Sequence, residues 1–296
     1  MELVLARRRL ALDGPPLLMG IVNVTPDSFY DRGVSPDPDR AVRRGLAMLD
    51  AGASLLDLGG MTAQPGRVLP VDEEIARVVP AIAGLRERTD AVLAVDTYRA
   101  EVAEAALAGG ADMVNDHTGL SDPRMASTVA RHDAGLVVTH LGLEPKQPQA
   151  ARYALAVSEI ERELHRRASQ ALAAGVRADA VMLDPGLGFG KDSATDLATL
   201  RALSQLAAAG YPLLLAPSHK EVTAEPLGLD ERSIEGTAAV VAVASFLGVS
   251  VLRVHDLPFM HRVARMAWLM RPDAANGHYS GRSDGAKNDG RNSPSR

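Results

Sequence analysis

The sequence predicts a single-domain α/β fold, a (β/α)8 or TIM barrel with a short N-terminal hairpin and a disordered C-terminal tail. An apolar strand that runs into polar residues, followed by an alanine-rich amphipathic segment, recurs eight times in about 255 residues. Glycines stand just before six of the strands, where a helix C-cap favours a left-handed residue: Gly52, Gly110, Gly135, Gly175, Gly210 and Gly248. The alternative, a doubly wound open sheet, normally supplies a G-x-G-x-x-G turn, and this chain has none.

The elements follow in order from the N-terminus. Residues 2–16 predict a hairpin, and the first helix has Asp37 as its cap and Pro38 in its first turn. The last helix is predicted over 259–270. Beyond Arg271 the chain loses apolar periodicity, which predicts a barrel domain over 1–271 and a disordered tail over 272–296. The eight predicted strands are 17–23, 54–60, 91–97, 112–117, 135–140, 180–186, 211–218 and 249–256.

Composition excludes several classes of protein. Of the 296 residues 46% are hydrophobic, which is enough for a large buried core. The net charge of −5 argues against nucleic acid as a partner. The absence of cysteine excludes disulfides and thiolate metal sites and fits a reducing cytoplasm. Arg7–Arg9 leave no signal-peptide core, and the longest weakly polar run, 237–252, is too short for a membrane span. We therefore expect a cytoplasmic protein without membrane contact.

Polar residues end the predicted strands, and in a barrel these ends meet at one face. Asp96, Asn115 and Asp184 suit a flat heterocycle that presents N–H donors. Other ends carry groups that can hold an anion or a metal–phosphate group: Asn23, Arg253 and His255. The sequence therefore predicts a ligand site at the barrel mouth.

Each of these residues also has a purely structural interpretation. Asp184 can belong to a plain turn with Pro185 and Gly186, Asn115 to a helix cap, and His255 to the barrel interior. Their occurrence together on successive strand ends favours a site. Phe29 and Phe189 both fall in predicted mouth loops, where they can stack on a planar ligand or simply anchor their loops.

Seven motifs at these positions resemble those of the dihydropteroate synthases. The resemblance covers about residues 15–270, with the motifs in the family's order at the ends of barrel strands. The motifs are Asn23–Phe29, Asp57–Gly60 with Pro65-Gly66, Val95–Thr97, Val114–Asp116, Leu183–Lys191, Ser218–Lys220 and Arg253–Asp256.

The resemblance implies a function. The family is a (β/α)8 barrel, commonly a homodimer, that joins 6-hydroxymethyl-7,8-dihydropterin pyrophosphate to the aromatic amine 4-aminobenzoate with the assistance of Mg²⁺. By resemblance, the pterin would be bound by Asp96, Asn115, Asp184, Lys220 and Phe189. Pyrophosphate would be bound by Asn23, Arg253 and His255, with Asn23 also serving the Mg²⁺. The loops and the aminobenzoate wing would comprise Thr25, Asp27, Phe29, Ala63, Gln64, Ser218 and His219.

The chain departs from the family in that wing. Where the family has Gly-Glu-Ser-Thr-Arg-Pro-Gly this chain has Gly60-Met61-Thr62-Ala63-Gln64-Pro65-Gly66, and where the family has Ser-Arg-Lys it has Ser218-His219-Lys220. Two arginines are thereby replaced. Losing two charged hydrogen bonds would cost ~3–6 kcal/mol, which corresponds to about 10²–10⁴ in rate. The altered loops resemble those of a divergent second paralogue of some high-GC bacteria.

Three functions remain open from the sequence. The leading one is a synthase with an altered acceptor wing. The second is a pterin-binding paralogue that does not make dihydropteroate. The third is the methyl-tetrahydrofolate-binding barrel of a corrinoid methyltransferase. The Thr25–Phe29 loop and the anion pair of Arg253 and His255 argue against the third, since a methyl donor carries no pyrophosphate.

Overall fold

A computed structural model describes residues 1–24, 38–61, 68–141, 156–229, 233–272 and 274. It confirms the predicted barrel: eight parallel strands form one sheet in the order β8-β7-β6-β5-β4-β3-β10-β9. A bridge between Leu183 and Leu213 joins the two outer strands, so the barrel is nearly closed. The strands are β3 (Leu17–Asn23), β4 (Leu55–Gly59), β5 (Val92–Asp96), β6 (Met113–Asp116), β7 (Gly135–Thr139), β8 (Val181–Asp184), β9 (Leu214–Leu215) and β10 (Val251–Val254).

Helices follow the strands and cover the outside of the barrel. They are α1 (Pro38–Asp50), α2 (Val71–Arg86), α3 (Ala100–Ala108), α4 (Met125–Arg131), α5 (Val157–Ala173), α6 (Ser193–Arg201), α7 (Leu203–Ala207), α8 (Ile234–Phe246) and α9 (Leu257–Leu269). Within the described segments, no helix is both long and apolar enough to span a membrane.

The predicted strands are generally longer than the observed ones, and β9 differs most. Residues 211–218 were expected as a strand, but only Leu214 and Leu215 form one. Pro212 and Pro217 flank this pair, and because proline has no amide hydrogen it cannot continue a ladder. The prolines therefore limit the strand whose end carries Ser218, His219 and Lys220.

The N-terminal hairpin closes one end of the barrel. It comprises β1 (Glu2–Leu5) and β2 (Arg8–Ala11), which pair antiparallel. Leu3 and Leu5 are buried in a cluster with the first residues of the barrel strands, such as Met19 and Val92. A second, larger apolar layer lies between the strands and the helices. Because the hairpin fills the N-terminal end, the polar strand ends lie at the opposite mouth.

The predicted boundary at 271 falls just after α9. Ala274 is buried, and its amide donates a hydrogen bond to the carbonyl of Arg271 at 3.2 Å. Residues 273 and 275–296, the rest of the predicted tail, lie outside the described residues.

Candidate active site

The register of four neighbouring strands aligns three of the predicted site residues in one row. Asn23 is paired with Gly59, Gly59 with Asp96, and Asp96 with Asn115. The row runs across the C-terminal ends of β3, β4, β5 and β6. The structure therefore brings Asn23, Asp96 and Asn115 together at the mouth, as the pattern of polar strand ends predicts.

Arg253 joins two carboxylates at this mouth. Its Nε lies 2.5 Å from Oδ2 of Asp57, and its Nη2 lies 2.8 Å from Oδ2 of Asp96. Asn115 donates from Nδ2 to the same Asp57 oxygen at 2.9 Å. Asp57 is fully buried, and within the described part of the chain its Oδ1 has no hydrogen-bond partner. Sequence reasoning quoted Asp57 in a motif but did not predict it as a site residue.

The two carboxylates differ in their pKa values because their surroundings differ. Burial raises the pKa of Asp57, and the charge of Arg253 only partly offsets this. Burial also acts to raise the pKa of Asp96, but the hydrogen bond from His117 and the charge of Arg253 outweigh it and lower the pKa. Asp96 is therefore the more acidic of the two carboxyl groups.

His117 is a second residue that sequence reasoning missed. It directly follows β6, and its Nδ1 lies 2.9 Å from Oδ1 of Asp96. Its ring lies 6.0 Å from that of Phe189 at an interplanar angle of 14°. The sequence does contain a signal for His117, because this residue is the third polar residue in a row at the end of β6, after Asn115 and Asp116.

Asp184 lies buried at the end of β8. Its Oδ1 accepts a hydrogen bond from the amide of Gly186 at 2.8 Å, and burial raises its pKa to about 6. Gly186 has a φ of +69°, and a Cβ there would lie 2.1 Å from the carbonyl oxygen of His140. Only glycine fits this turn, so the Asp184-Pro185-Gly186 sequence is both a turn and the support of a buried carboxyl group.

Lys220 and Phe189 contact each other across the same mouth. The Nζ atom of Lys220 lies 4.3 Å from the ring centroid of Phe189, a cation–π contact. Burial lowers the pKa of Lys220, as does the charge of Arg253, while Asp184 and Asp196 oppose this effect. A Cβ at Gly188 would lie 3.1 Å from Cδ of Lys220, so the glycine leaves room for the lysine stem.

Lys191 is a buried residue next to Phe189 that the sequence analysis did not assign to the site. Lys191 is 2% exposed, and its Nζ donates to the carbonyl of Phe189 at 3.2 Å and lies 3.3 Å from Nδ1 of His140. Burial lowers its pKa to about 8. These contacts fix the loop that carries Phe189.

The ends of β9 and β10 bring two histidines together. Nδ1 of His255 lies 3.2 Å from Oγ of Ser218, and Nε2 of His219 lies 2.9 Å from Oδ2 of Asp256. The two imidazole rings are 5.5 Å apart. Burial, reinforced by the charge of Arg253, lowers the pKa of His255 to about 3. His255 is therefore neutral at pH 7 and would contribute a hydrogen bond, and no charge, to an anion.

The remaining predicted site residues cannot be placed. Thr25, Asp27, Phe29, Ala63 and Gln64 lie outside the described residues. The parts of the chain that are described contain no group of three or more His, Asp or Glu side chains that could hold a metal ion.

The chain is similar to known proteins over nearly its whole length. The family model described as pterin binding enzyme matches residues 19–255. A protein of Mycobacterium leprae named inactive dihydropteroate synthase 2 is 41% identical over 275 residues, which are 90% of this chain and 94% of that relative. The dihydropteroate synthase of Bacillus subtilis is 37% identical over 253 residues, 84% of this chain and 87% of that relative. The solved structure of the dihydropteroate synthase of Xanthomonas albilineans in complex with 7,8-dihydropteroate has a TM-score of 0.79 and 37% identity, and the match covers 90% and 97% of the two chains.

Proposed function

This chain belongs to the family of pterin-binding enzymes, and from that premise we propose that it is a transferase of the dihydropteroate synthase type. It would join 6-hydroxymethyl-7,8-dihydropterin pyrophosphate to 4-aminobenzoate and release pyrophosphate. The observation that carries the proposal is a group of polar residues at one barrel mouth, of which Asp57, Asn115 and Asp184 are buried and Asp96, Lys220 and Arg253 are half-buried.

The pterin ring presents N–H donors along one edge and acceptors along another. In the proposal, Asp96 and Asp184 accept from the donors, and Asn115 and Lys220 complete the recognition. The buried state of Asp184 supports this role, because a buried carboxyl group gains most from donors that a ligand supplies. Phe189 offers an aromatic face in the same place, where Lys220 already lies against it.

Arg253, His255 and Asn23 are the proposed pyrophosphate residues. Two nitrogens of Arg253 bind carboxylates, and within the described part of the chain its third, Nη1, makes no hydrogen bond. Arg253 therefore has a donor left for an anion. Asn23 offers an amide oxygen, which suits Mg²⁺, an ion that commonly takes one or two protein oxygens and completes its shell with phosphate and water. When bound, Mg²⁺ would neutralise charge on the leaving pyrophosphate.

The reaction breaks the bond between the pterin methylene carbon and the pyrophosphate oxygen, whose electron pair leaves with the pyrophosphate. The amine nitrogen then bonds to the same carbon through its lone pair and transfers one proton to water. Positive charge develops on the pterin meanwhile, and the carboxylates of Asp57 and Asp96 are fixed nearby by Arg253. Preorganised negative charge of this kind stabilises a cationic transition state.

A second candidate is a paralogue that binds pterin without making dihydropteroate. The observation that favours it is His219, which binds Asp256 at the position where the family's motif has an arginine. The replacement of a second arginine by Gln64 supports it as well. Both candidates share the pterin site and differ in what happens at the acceptor wing.

We also propose a cytoplasmic homodimer. Large apolar side chains are exposed on α8 and α9, which pack against each other: Val243, Phe246, Phe259, Met266 and Leu269. An exposed apolar patch of this kind favours association, and a second copy of the chain is the proposed partner. Multi-angle light scattering should give a mass of about twice 31.2 kDa, and a Phe246→Glu variant should give a monomer.

A turnover assay tests the proposal and separates the two candidates. The protein is mixed with dihydropterin pyrophosphate, 4-aminobenzoate and Mg²⁺, and pyrophosphate release and dihydropteroate are both measured. Dihydropteroate formation supports the synthase. Tight pterin binding by calorimetry without dihydropteroate supports the paralogue. A protein that neither binds nor turns over the pterin contradicts both.

A further inference from the structure

The imidazole ring of His117 lies between the aromatic rings of Tyr98 and Phe189 at the barrel mouth. The Tyr98 ring meets the His117 ring edge-on at 5.7 Å and 80°. On its other side the His117 ring lies 6.0 Å from Phe189 at 14°, and Lys220 lies over Phe189. Residues that follow β5, β6, β8 and β9 therefore contact one another in series. The two aromatic neighbours fix the plane of the imidazole ring.

In this ring orientation Nδ1 of His117 lies 2.9 Å from Oδ1 of Asp96. The adjacent carboxylate of Asp116 does not compete for it, since Asp116 accepts hydrogen bonds from the amides of Thr118 and Leu120 and from the Thr118 hydroxyl. In the described residues Asp96 is the one hydrogen-bond partner of the His117 side chain. The contact is therefore directed, and Oδ1 of Asp96 is held by His117 while Oδ2 is held by Arg253.

The charges around His117 favour its protonated form. Burial lowers the pKa of His117, but the hydrogen bond to Asp96 and the charges of Asp96 and Asp116 outweigh burial and raise it above the ordinary value. The charge of Arg253 opposes this rise in pKa. Glu74 on α2 is a further carboxyl group nearby, and it interacts electrostatically with His117. The surrounding elements thus contribute more negative than positive charge to this imidazole.

We propose that His117 is a positioning residue for pterin recognition, which acts by holding the carboxylate of Asp96 in the orientation that accepts the ring's N–H donors. The inference rests on the proposed function and extends it to a residue outside the predicted site. Each carboxylate oxygen has two lone pairs, so with one taken on each side Asp96 retains one acceptor direction per oxygen for a ligand. Without His117 the carboxylate can rotate about Arg253 and lose that alignment.

The test measures binding of 6-hydroxymethyl-7,8-dihydropterin without its pyrophosphate, so that ring recognition is read alone. His117→Phe keeps a flat ring between Tyr98 and Phe189 and removes the donor to Asp96. Calorimetry should show about tenfold weaker binding, as expected for one hydrogen bond to a charged group. His117→Asn, which returns an N–H donor, should recover most of the affinity. His132→Phe is the matched control, because His132 makes a similar contact with Glu104 at 2.8 Å away from the site, and it should bind like the parent.

Equal affinity of His117→Phe and the parent would overturn the inference, and so would an equal loss in His117→Asn and His117→Phe. A parent protein that does not bind the dihydropterin would instead contradict the proposed function. A titration of the ligand-free protein by NMR separates these failures. The pKa of His117 should be lower in Asp96→Asn than in the parent, since the hydrogen bond and the charge of Asp96 no longer oppose the effect of burial. An unchanged pKa would show that His117 does not act on Asp96 at all.

Discussion

Arg253 on β10 and Asp57 on β4 form an ion pair across the intervening strand β3, with Nε 2.5 Å from Oδ2. Asp57 is fully buried, and Arg253 also binds Asp96, so one guanidinium bridges two carboxyl groups. This arrangement connects the stability of the barrel with the charge of its mouth. Removing Asp57 would take away one of the two carboxyl groups that Arg253 binds, and it would also remove the acceptor of the buried Asn115 amide.

Asp57→Ala should therefore lower the free energy of unfolding by about 1–3 kcal/mol, since it leaves Nε of Arg253 and the Asn115 amide without an acceptor while Asp96 still binds Nη2 of Arg253. Urea denaturation followed by circular dichroism measures the effect. Asp179→Ala is the matched control, because it removes a surface pair with Arg177 and should cost less than about 1 kcal/mol. If Asp57→Ala were as stable as the control variant, the pair would not contribute to stability as described.

Pterin affinity should fall as the solution becomes more acidic than about pH 6. Burial raises the pKa of Asp184 from 3.8 to about 6. Between these two pH values the folded protein keeps a proton on Asp184 that the unfolded chain has lost. The contribution of Asp184 to the free energy of unfolding therefore decreases as the pH rises from 3.8 to about 6. Ligand N–H donors require the ionised form. Affinity should therefore drop about tenfold per pH unit below 6. Calorimetry between pH 5 and 7.5 measures this drop. Asp184→Asn should bind the pterin weakly, and its affinity should depend less on pH. If the affinity of the parent did not change with pH in this range, the assignment of Asp184 to the pterin site would be contradicted.

Lys220→Ala should weaken binding of dihydropterin pyrophosphate by about 10–100-fold, because it removes the half-buried cation that lies against Phe189. Lys146→Ala removes the same side chain from a Pro- and Gln-containing segment that lies outside the described residues, and it should bind like the parent. Calorimetry of the two variants decides the matter. Equal affinities would exclude Lys220 from the pterin site.

Condensation with 4-aminobenzoate should be slow in the parent and faster in the triple variant Ala63→Thr, Gln64→Arg, His219→Arg. The variant restores two guanidinium groups, whose loss accounts for about 10²–10⁴ in rate. Because His219 binds Asp256, the new arginine at 219 should partly pair with Asp256, so we expect recovery of only a fraction of that factor. Initial rates at matched pterin saturation measure it.

Two results would contradict the impaired wing: a parent with a rate typical of a housekeeping synthase, or a triple variant that binds pterin normally and remains inert.

Deletion of residues 275–296 should change the melting temperature by less than about 2 °C and leave pterin binding intact. The segment lacks apolar residues for a core, whereas Ala274 just before it is buried and is therefore retained. Thermal denaturation and calorimetry of the truncated protein measure both effects. A large fall in the melting temperature would show that the tail docks on the barrel.

The barrel and the meeting of its polar strand ends at one mouth could be predicted because each depends on residues that are neighbours in the chain. Apolar runs such as Leu17–Asn23 specify buried strands, and the helices between them are specified by their own periodicity. Parallel strands that alternate with helices then carry their last residues to one face, so Asn23, Asp96 and Asn115 had to approach one another.

The sequence by itself therefore determined the order of strands and helices, the end of the barrel at which the polar strand ends meet, and the family resemblance. Only the tertiary structure decided which side chains pair: Arg253 with Asp57 across 196 positions, and His117 with Asp96 across 21. The pKa differences among the buried carboxyl groups follow from those pairings. The physical reason is that periodicity is local, whereas a hydrogen bond depends on a separation of about 3 Å between residues whose distance is set by register, strand length and burial.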